Sequence, residues 1–343
     1  MSQSLDAQVG IVAIGRNEGE RLRRCLESAL KATSAVVYVD SGSEDSSVQL
    51  AKTLGAEVVQ LDLATPFTAA RSRNAGIARL RERHPSLPYV QVVDGDCEIV
   101  DGWVARAVEE MTGHPRVAVV CGRRRERQPE GSVYNRLCDM EWDSPLGTAD
   151  ACGGDALFRL EAFQQVTGYD ETIIAGEEPE LCLRLREAGW QVHRIDHEMT
   201  LHDAAMTRFG QWWKRNVRSG HAYAEGHAMH RAKHGYCARE VRSIVEWGLL
   251  APLLAFGLMW VTWGLSLLLF GGYAWLWMRV RNHRLARGNT RKDAGDYANY
   301  CVLGKFPQLF GVGKYWWNRL LGRRTRLIEY KGAAPTAAGA APP

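Results

Sequence analysis

Two carboxylates separated by one glycine, Asp94-Gly95-Asp96, follow the strand-forming run YVQVV at residues 89–93. Ionised acids held this close repel each other, and two settings relieve the repulsion. One is a strand-to-turn corner open to water, where Asp and Gly are common. The other is a seat for a hard divalent cation such as Mg²⁺ or Mn²⁺, which prefers carboxylate oxygens and brings phosphates with it. A second acid pair, Glu177-Glu178, stands before Pro179 and a helical pattern that Gly189 stops. Acids in a first helical turn complement the helix dipole. Alternatively, crowded against Glu180, one of them keeps enough basicity to take a proton in a reaction. His202, in MTLHD, reads by itself as a core or surface imidazole.

Groups so far apart in the chain need a scaffold to gather them. The first 200 residues alternate strand-like and helix-like segments. VGIVAI leads to GRNEG, AVVYVD ends at Asp40, AEVVQLDL forms a third strand and YVQVVDGD a fourth. Between them EGERLRRCLESALKA, SVQLAKTLG and FTAARSRNAGIARLRER read as helices, with Leu22, Cys25, Leu26, Ala29 and Leu30 at helical spacing in the first. This order predicts an α/β fold, a mainly parallel sheet flanked by helices. Ligands of such sheets bind beyond the carboxyl ends of the strands. Asn17-Glu18, Asp40 and Asp94-Gly95-Asp96 all follow strands at that end. There is no G-x-G-x-x-G after the first strand and no P-loop, which removes the usual dinucleotide and NTP-binding signatures. The residues after Asp96, Cys97 and Glu98, do not suit a haloacid-type phosphatase.

The 343 residues are 46% hydrophobic and 24% charged, the balance of a folded chain. The net charge of +4 is uneven, since residues 279–331 alone carry +10. A basic tail behind an acidic body calls for an anionic partner. Eight scattered cysteines show no zinc spacing and read as reduced packing thiols, and the polar start MSQSLDAQ does not read as a signal peptide. Residues 247–278 contain no charge. As one helix these 32 residues would measure about 48 Å, too long for an upright span of a ~30 Å hydrocarbon core and too short for two. Basic flanks on both sides favour a re-entrant hairpin broken near Pro252, Gly264 or Gly271-Gly272; a single tilted span is the rival. Trp316 and Trp317 among Arg319, Arg323, Arg324 and Arg326 fit a helix lying in the lipid interface rather than nucleic-acid binding. QWWKR at 211–215 has Arg215 one place late for the Gln-x-x-Arg-Trp motif of processive synthases, and reads as part of an amphipathic helix.

In order, VAIGRNEG, VVYVDSGSEDSS, SRNAG, VVDGD, GGDALFRLEAF, GYDE, GEEPELCLRLREAGW and LHD resemble a family-two inverting glycosyltransferase of the GT-A fold, of a bacterial membrane-associated type. The resemblance covers roughly residues 9–205. It implies that Asp40 bonds the nucleotide base, that Asn17 and Glu18 line the nucleoside pocket, and that Arg73 and Asn74 approach from the following helix. Asp94 and Asp96 form the Asp-x-Asp motif, with Asp96 on a divalent cation (Mn²⁺ or Mg²⁺), Asp94 on ribose or the metal's water, and His202 as a further metal ligand oriented by Asp203. Asp155 would meet donor hydroxyls. Glu178 would be the general base, standing where the family usually has Asp, with Glu177 as the second choice. The partners implied are a nucleotide-diphosphate sugar, a lipid-linked glycan acceptor and membrane lipids, at the cytoplasmic face of the bacterial inner membrane, in envelope or exopolysaccharide assembly. A non-catalytic membrane-tethered scaffold with the same fold is the alternative. The domain expectation is a nucleotide-sugar-binding catalytic domain over 1–205, an amphipathic helical connector over 206–245 and a hydrophobic membrane segment over 246–280. A basic and aromatic interfacial helical tail would follow over 281–331, then a disordered end over 332–343.

Overall fold

The computed structural model describes residues 5–323, so the expected end segment 332–343, and Arg324 and Arg326 of the tail, lie outside the described residues. Among the described residues, nine strands form one sheet: β1 (Val9–Gly15), β2 (Val36–Asp40), β3 (Glu57–Gln60), β4 (Tyr89–Asp94), β5 (Cys97–Ile99), β6 (Val117–Glu126), β7 (Gly147–Thr148), β8 (Ala156–Arg159) and β9 (Gln191–His202). The order is β3-β2-β1-β4-β8-β6-β9-β5, with β7 on β9. Helices α1 (Glu20–Ala32), α2 (Ser47–Leu54), α3 (Ala69–Arg83), α4 (Trp103–Gly113), α5 (Val133–Trp142), α6 (Leu160–Gln165) and α7 (Glu177–Glu187) accompany it.

The four leading strands pair in parallel, as the alternating pattern requires. Their register does the gathering. Gly15 lies opposite Asp40, and Ile14 opposite Asp94, so the polar corners after β1, β2 and β4 end level at one edge. Helix α1 turns Leu22, Cys25, Leu26 and Ala29 into the core beneath. Gly76 lets α3 press on the sheet, since a Cβ there would lie 2.4 Å from Val12 Cγ1.

The sheet is mixed rather than mainly parallel, a correction to the sequence expectation. β8 runs antiparallel between β4 and β6, and β5 and β7 pair antiparallel with β9. These three strands hold four, three and two residues, too short to show an alternating pattern.

Beyond β9 the described chain is helical: α8 (Phe209–His234), α9 (Ala238–Val245), a π-helical turn (Glu246–Leu250), α10 (Ala251–Gly257), a 3-10 turn (Leu265–Phe270), α11 (Gly271–Ala286), α12 (Arg291–Leu303) and α13 (Lys305–Leu320). α13 crosses α8 at two glycines. A Cβ on Gly220 would fall 2.0 Å from the Gln308 carbonyl oxygen, and one on Gly311 2.0 Å from that of Val217. Arg284 of α11 is buried, donates to the Met140 carbonyl oxygen and lies over the Tyr297 ring, tying this region to α5. Part of the tail expected to lie in lipid is therefore packed on protein. Gln211 caps α8 and Trp212 is buried beside Tyr134 and Tyr300, a packing role for QWWKR.

Among the described residues, no helix is long and apolar enough to cross a membrane. The single tilted span is not formed. The charge-free run instead leaves α10, turns over residues 258–264 and returns through the 3-10 turn into α11. Gly264, in the left-handed region at φ 85°, sits at the return.

Candidate active site

A cleft of about 660 Å³ opens at the level edge, lined by Asn17, Glu18, Arg73, Asp94, Asp96, Arg124, Glu177, Glu178 and His202 among others. Its floor is the β4–β5 corner. The Gly95 N–H donates to the Ile14 carbonyl oxygen at 2.7 Å. A Cβ at 95 would sit 3.0 Å from that oxygen, a tight contact that glycine avoids as the two acids come down against β1. Gly154 has the same duty opposite, where a Cβ would lie 2.7 Å from Asp94 Oδ2.

Arg73 is the hub. Helix α3 buries its guanidinium, which reaches Asp94 Oδ1 at 2.9 Å, Glu177 Oε1 at 2.8 Å and Glu178 Oε1 at 2.7 Å, with the Tyr169 ring beneath. Burial opposes the charge, but Glu178 and Asp94 outweigh it and hold the Arg73 pKa well above its ordinary value. One cation thus joins the Asp-Gly-Asp corner to the start of α7. Gly176, at φ 84°, turns the chain into that helix. The Glu178 carboxyl is pushed up to about 7, by burial first and then by Glu177 and Asp94, with Arg73 pulling the other way. It keeps a narrow opening to the cleft and is poised to exchange a proton near neutrality.

The second half of the corner is a relay. His202 is buried at the end of β9, with Nε2 3.4 Å from Asp96 Oδ2 and Nδ1 3.0 Å from Glu126 Oε2. Glu126 is an acceptor, so Nδ1 carries the proton and the Nε2 lone pair faces Asp96. Burial, and then Arg124, lower the His202 pKa and favour the neutral ring. A buried carboxylate beside a neutral imidazole is a donor set that a divalent cation accepts, Mn²⁺ more readily than the oxygen-loving Mg²⁺. Their 3.4 Å separation is close to the ~3 Å edge of an octahedral shell with bonds of about 2.1 Å. A second cluster, Glu110 with His114 and His193, lies at the far end of β9, away from the cleft.

Other expected residues fall in different places. Asn17 lines the cleft in a left-handed conformation, its Oδ1 accepting from the Glu44 N–H at 2.7 Å. Glu18 lines it too, paired with Arg21 at 2.9 Å. Asp40 is buried just behind the wall, which Ser41 forms. Its carboxylate accepts from the Tyr38 hydroxyl and the Gly42 and Ser43 N–H groups. Asn74 faces away from the cleft and clamps the 169–171 loop, bonding both the N–H and the carbonyl of Tyr169 and the Glu171 carboxylate.

Two expectations change outright. Asp155 does not reach donor hydroxyls: it is 0% exposed, with Oδ1 on the Asp94 N–H at 3.0 Å and Oδ2 on the Thr200 hydroxyl at 2.6 Å. Its place is under the corner, as a brace. Asp203 does not orient His202; it pairs with Arg24 at 3.3 Å, and Glu126 does the orienting.

Sequence reasoning missed Glu126, Arg124 and Trp142. Arg124 lies 3.3 Å from Asp94 Oδ2 and 3.5 Å from Asp155 Oδ2, with its guanidinium over Trp142, whose ring meets His202 edge-on. GRRRERQ was the only signal, and a run of arginines gives no hint which one turns inward. α8 also reaches the cleft through Arg215, Arg218, Ser219, Ala222 and Tyr223, so the site does not end at residue 205.

Comparison with known proteins agrees with this geometry. Residues 11–167 match the family model Glycosyl transferase family 2. The chain thus carries a glycosyl transferase family 2 domain over somewhat less than half of its length. Among relatives, the succinoglycan biosynthesis protein ExoA of Rhizobium meliloti (strain 1021) is 26% identical over 242 residues, 64% of this chain and 70% of that one. The pre-mycofactocin glycosyltransferase of Mycobacterium tuberculosis is 28% identical over 228 residues, 62% of this chain. A TPR repeat-containing protein of Synechococcus elongatus is 29% identical over 140 residues, 40% of this chain. The chain spans only 46% and 32% of the latter two. In fold it is similar to a mannosyltransferase from Pyrobaculum calidifontis, solved with GDP-Man and Mn²⁺, at TM-score 0.58 and 13% identity over 91% of this chain and 88% of that one.

Proposed function

We propose that this family 2 glycosyltransferase moves a sugar, with inversion, from a nucleotide-diphosphate donor to an acceptor hydroxyl. The observation that carries the reading is Arg73, which holds the Asp-Gly-Asp corner and the Glu177-Glu178 pair in one cleft. Leaving-group charge develops at one end of such a reaction and a proton is lost at the other, and the cleft has groups for both.

Asp96 and His202, with Asp94 beside them, are the residues that would hold a divalent cation, Mn²⁺ or Mg²⁺. When bound, it supplies positive charge against the departing diphosphate. Asn17 and Glu18 border the nucleoside region, with Asp40 fixing the loop that carries Ser41. Glu178 takes the acceptor hydroxyl proton, and its raised pKa gives it basicity while leaving it ionised above neutral pH. Arg73 stabilises that anion before reaction and orients it. The hydroxyl oxygen then forms the new bond to the anomeric carbon as the bond to the diphosphate breaks on the opposite face.

The acceptor has a route. A neighbouring cavity of about 670 Å³ shares Ala175, Gly176, Pro179, Ala222 and Tyr223 with the cleft and ends at Tyr236, Cys237 and Glu240 by α9. Its charged lining is mostly acidic, with Asp150, Glu180, Glu187 and Glu240 against Arg186. That suits the hydroxyls of a glycan. The chain after α9 is the apolar segment, which supports a lipid-linked acceptor used at the cytoplasmic face of a bacterial inner membrane. Glycan assembly of the envelope or exopolysaccharide type is the setting we propose. The test is a panel of nucleotide sugars with Mn²⁺, read as release of nucleoside diphosphate. Turnover of one donor that Glu178→Gln suppresses while nucleotide affinity stays within threefold supports the reading, and no turnover with any donor counts against it.

A further inference from the structure

The hairpin formed by α10, the turn at 258–264 and the 3-10 turn at Leu265–Phe270 is inverted relative to a protein surface. Trp260 is 84% exposed, Val261 78%, Trp263 94% and Leu268 76%, and Leu253, Phe256 and Leu265 are also exposed. Monomeric proteins rarely leave a contiguous apolar patch of this kind bare. The hairpin is nonetheless built. The Ser266 hydroxyl donates to the Ala255 carbonyl oxygen at 2.6 Å, and Phe256 meets Phe270 at 5.3 Å. Its inner contacts are thus satisfied while its outer face has no partner within the described chain.

Down its length the hairpin changes character in order. The tip, residues 258–269, has no charge. Beneath it stands a ring of aromatics: Trp247 packs on Tyr273 at 5.4 Å and on Trp275 at 6.4 Å, and Tyr273 stacks on Phe306. Below these come cations. Arg279 lies over Trp275 and Arg281 over Trp277, both at 5.5 Å, and Arg242 of α9, 74% exposed, pairs with Glu246 at 3.4 Å. Apolar tip, amphipathic aromatic waist and basic collar follow the order hydrocarbon, interface and anionic headgroup met on entering a bilayer.

Depth distinguishes anchoring from spanning. From Gly248, held against the Lys305 carbonyl oxygen, to Leu258 is ten residues, about 15 Å of helix. That is about half of a ~30 Å hydrocarbon core. We infer that residues 250–270 form a monotopic anchor that inserts into one leaflet of an anionic bilayer, with Trp260, Val261, Trp263 and Leu268 in the hydrocarbon and the aromatic waist at its boundary. The inference does not depend on the reaction proposed above. The second cavity ends on α9, the helix that leads into the anchor, so insertion brings the acceptor end of the cleft toward the headgroups.

The test uses the full chain and vesicles of phosphatidylethanolamine with phosphatidylglycerol. Flotation is expected to recover the wild type with the vesicles, and Trp260→Glu/Trp263→Glu to lower the partition coefficient at least about tenfold. Both side chains are exposed, so the variant keeps its fold, which circular dichroism and nucleotide binding check. In a Cys237→Ser/Cys301→Ser background, whose remaining cysteines are buried, a fluorophore on Val261→Cys reports depth. Strong quenching by lipids brominated near the chain ends supports insertion of the tip. Equal flotation of wild type and the double variant overturns the inference. So does a tip label that vesicles leave unchanged while sedimentation shows a dimer that the double variant dissociates.

Discussion

The cleft and the hairpin depart from the usual sorting of residues in opposite directions. The cleft buries polar and ionisable groups: Arg73, Asp96, Glu177 and His202 are almost out of solvent, each within reach of a partner. The hairpin exposes tryptophans that nothing among the described residues covers. In the cleft, low dielectric strengthens every charge–charge contact and makes any removed partner costly. In the hairpin, removing an apolar side chain disturbs little within the protein, because its partner lies outside it. Substitutions should therefore separate the regions by what they destroy, chemistry and stability in one and attachment in the other.

The largest expected effect is on chemistry. Glu178→Gln should lower kcat by about 10²–10⁴-fold, the usual range for a general base, with nucleotide affinity nearly intact. A drop confined to KM would show that Glu178 binds rather than takes a proton. Next is Arg73→Met, which leaves Asp94, Glu177 and Glu178 crowded without their cation. The cost should be about 3–5 kcal/mol by chemical denaturation, as for other broken buried pairs. Glu126→Gln should weaken Mn²⁺ binding by about 10–100-fold, read by calorimetry, because the relay that fixes the His202 tautomer is lost. Excess Mn²⁺ should recover most of the turnover. The smallest effect on chemistry belongs to Trp260→Glu/Trp263→Glu. On a water-soluble acceptor it should change kcat less than about twofold, since exposed positions away from a site are near neutral.

The Glu178 carboxyl also links stability to pH. Its folded pKa, about 7, lies above the ordinary 4.5. Between those values the folded state binds more protons than the unfolded one, so stability falls as pH rises through that window. Glu178→Gln removes this loss. The variant should match the wild type near pH 4.5 and exceed it at pH 8, while hairpin variants should show no such crossover.

How much of this the sequence disclosed follows from how local each signal is. Strands β1 to β4 and helices α1 to α3 each carry their own periodicity, and Asp40 and Asp94 announce their strand ends, so the level edge was legible. The antiparallel insertion of β8 was not, because four residues hold no period. Asn17, Glu18, Arg73, Asp94, Asp96, Glu177, Glu178 and His202 do meet in one cleft. Asp155, Asn74 and Asp203 do not play the expected parts, because a carboxylate or amide in a polar turn looks the same whether it faces a ligand or braces the backbone. Glu126 was invisible: its meaning arises only from the pairing of β6 with β9, which sets it opposite His202. The hairpin shows the reverse case. Composition and the basic flanks announced an apolar hairpin with Pro252, Gly264 or Gly271-Gly272 as its break, but not which of them turns the chain; the structure makes the return at Gly264.

The most direct test of the central claim is the pH dependence of transfer by the wild type and by Glu178→Gln at saturating Mn²⁺ and donor. Wild-type kcat should rise with pH and level off above an apparent pKa near 7. The variant should be at least a hundredfold slower and lose that rise. A variant that keeps the wild-type rate and profile would contradict the account, because the proton would then leave by a route that does not pass through the carboxylate Arg73 holds in the cleft.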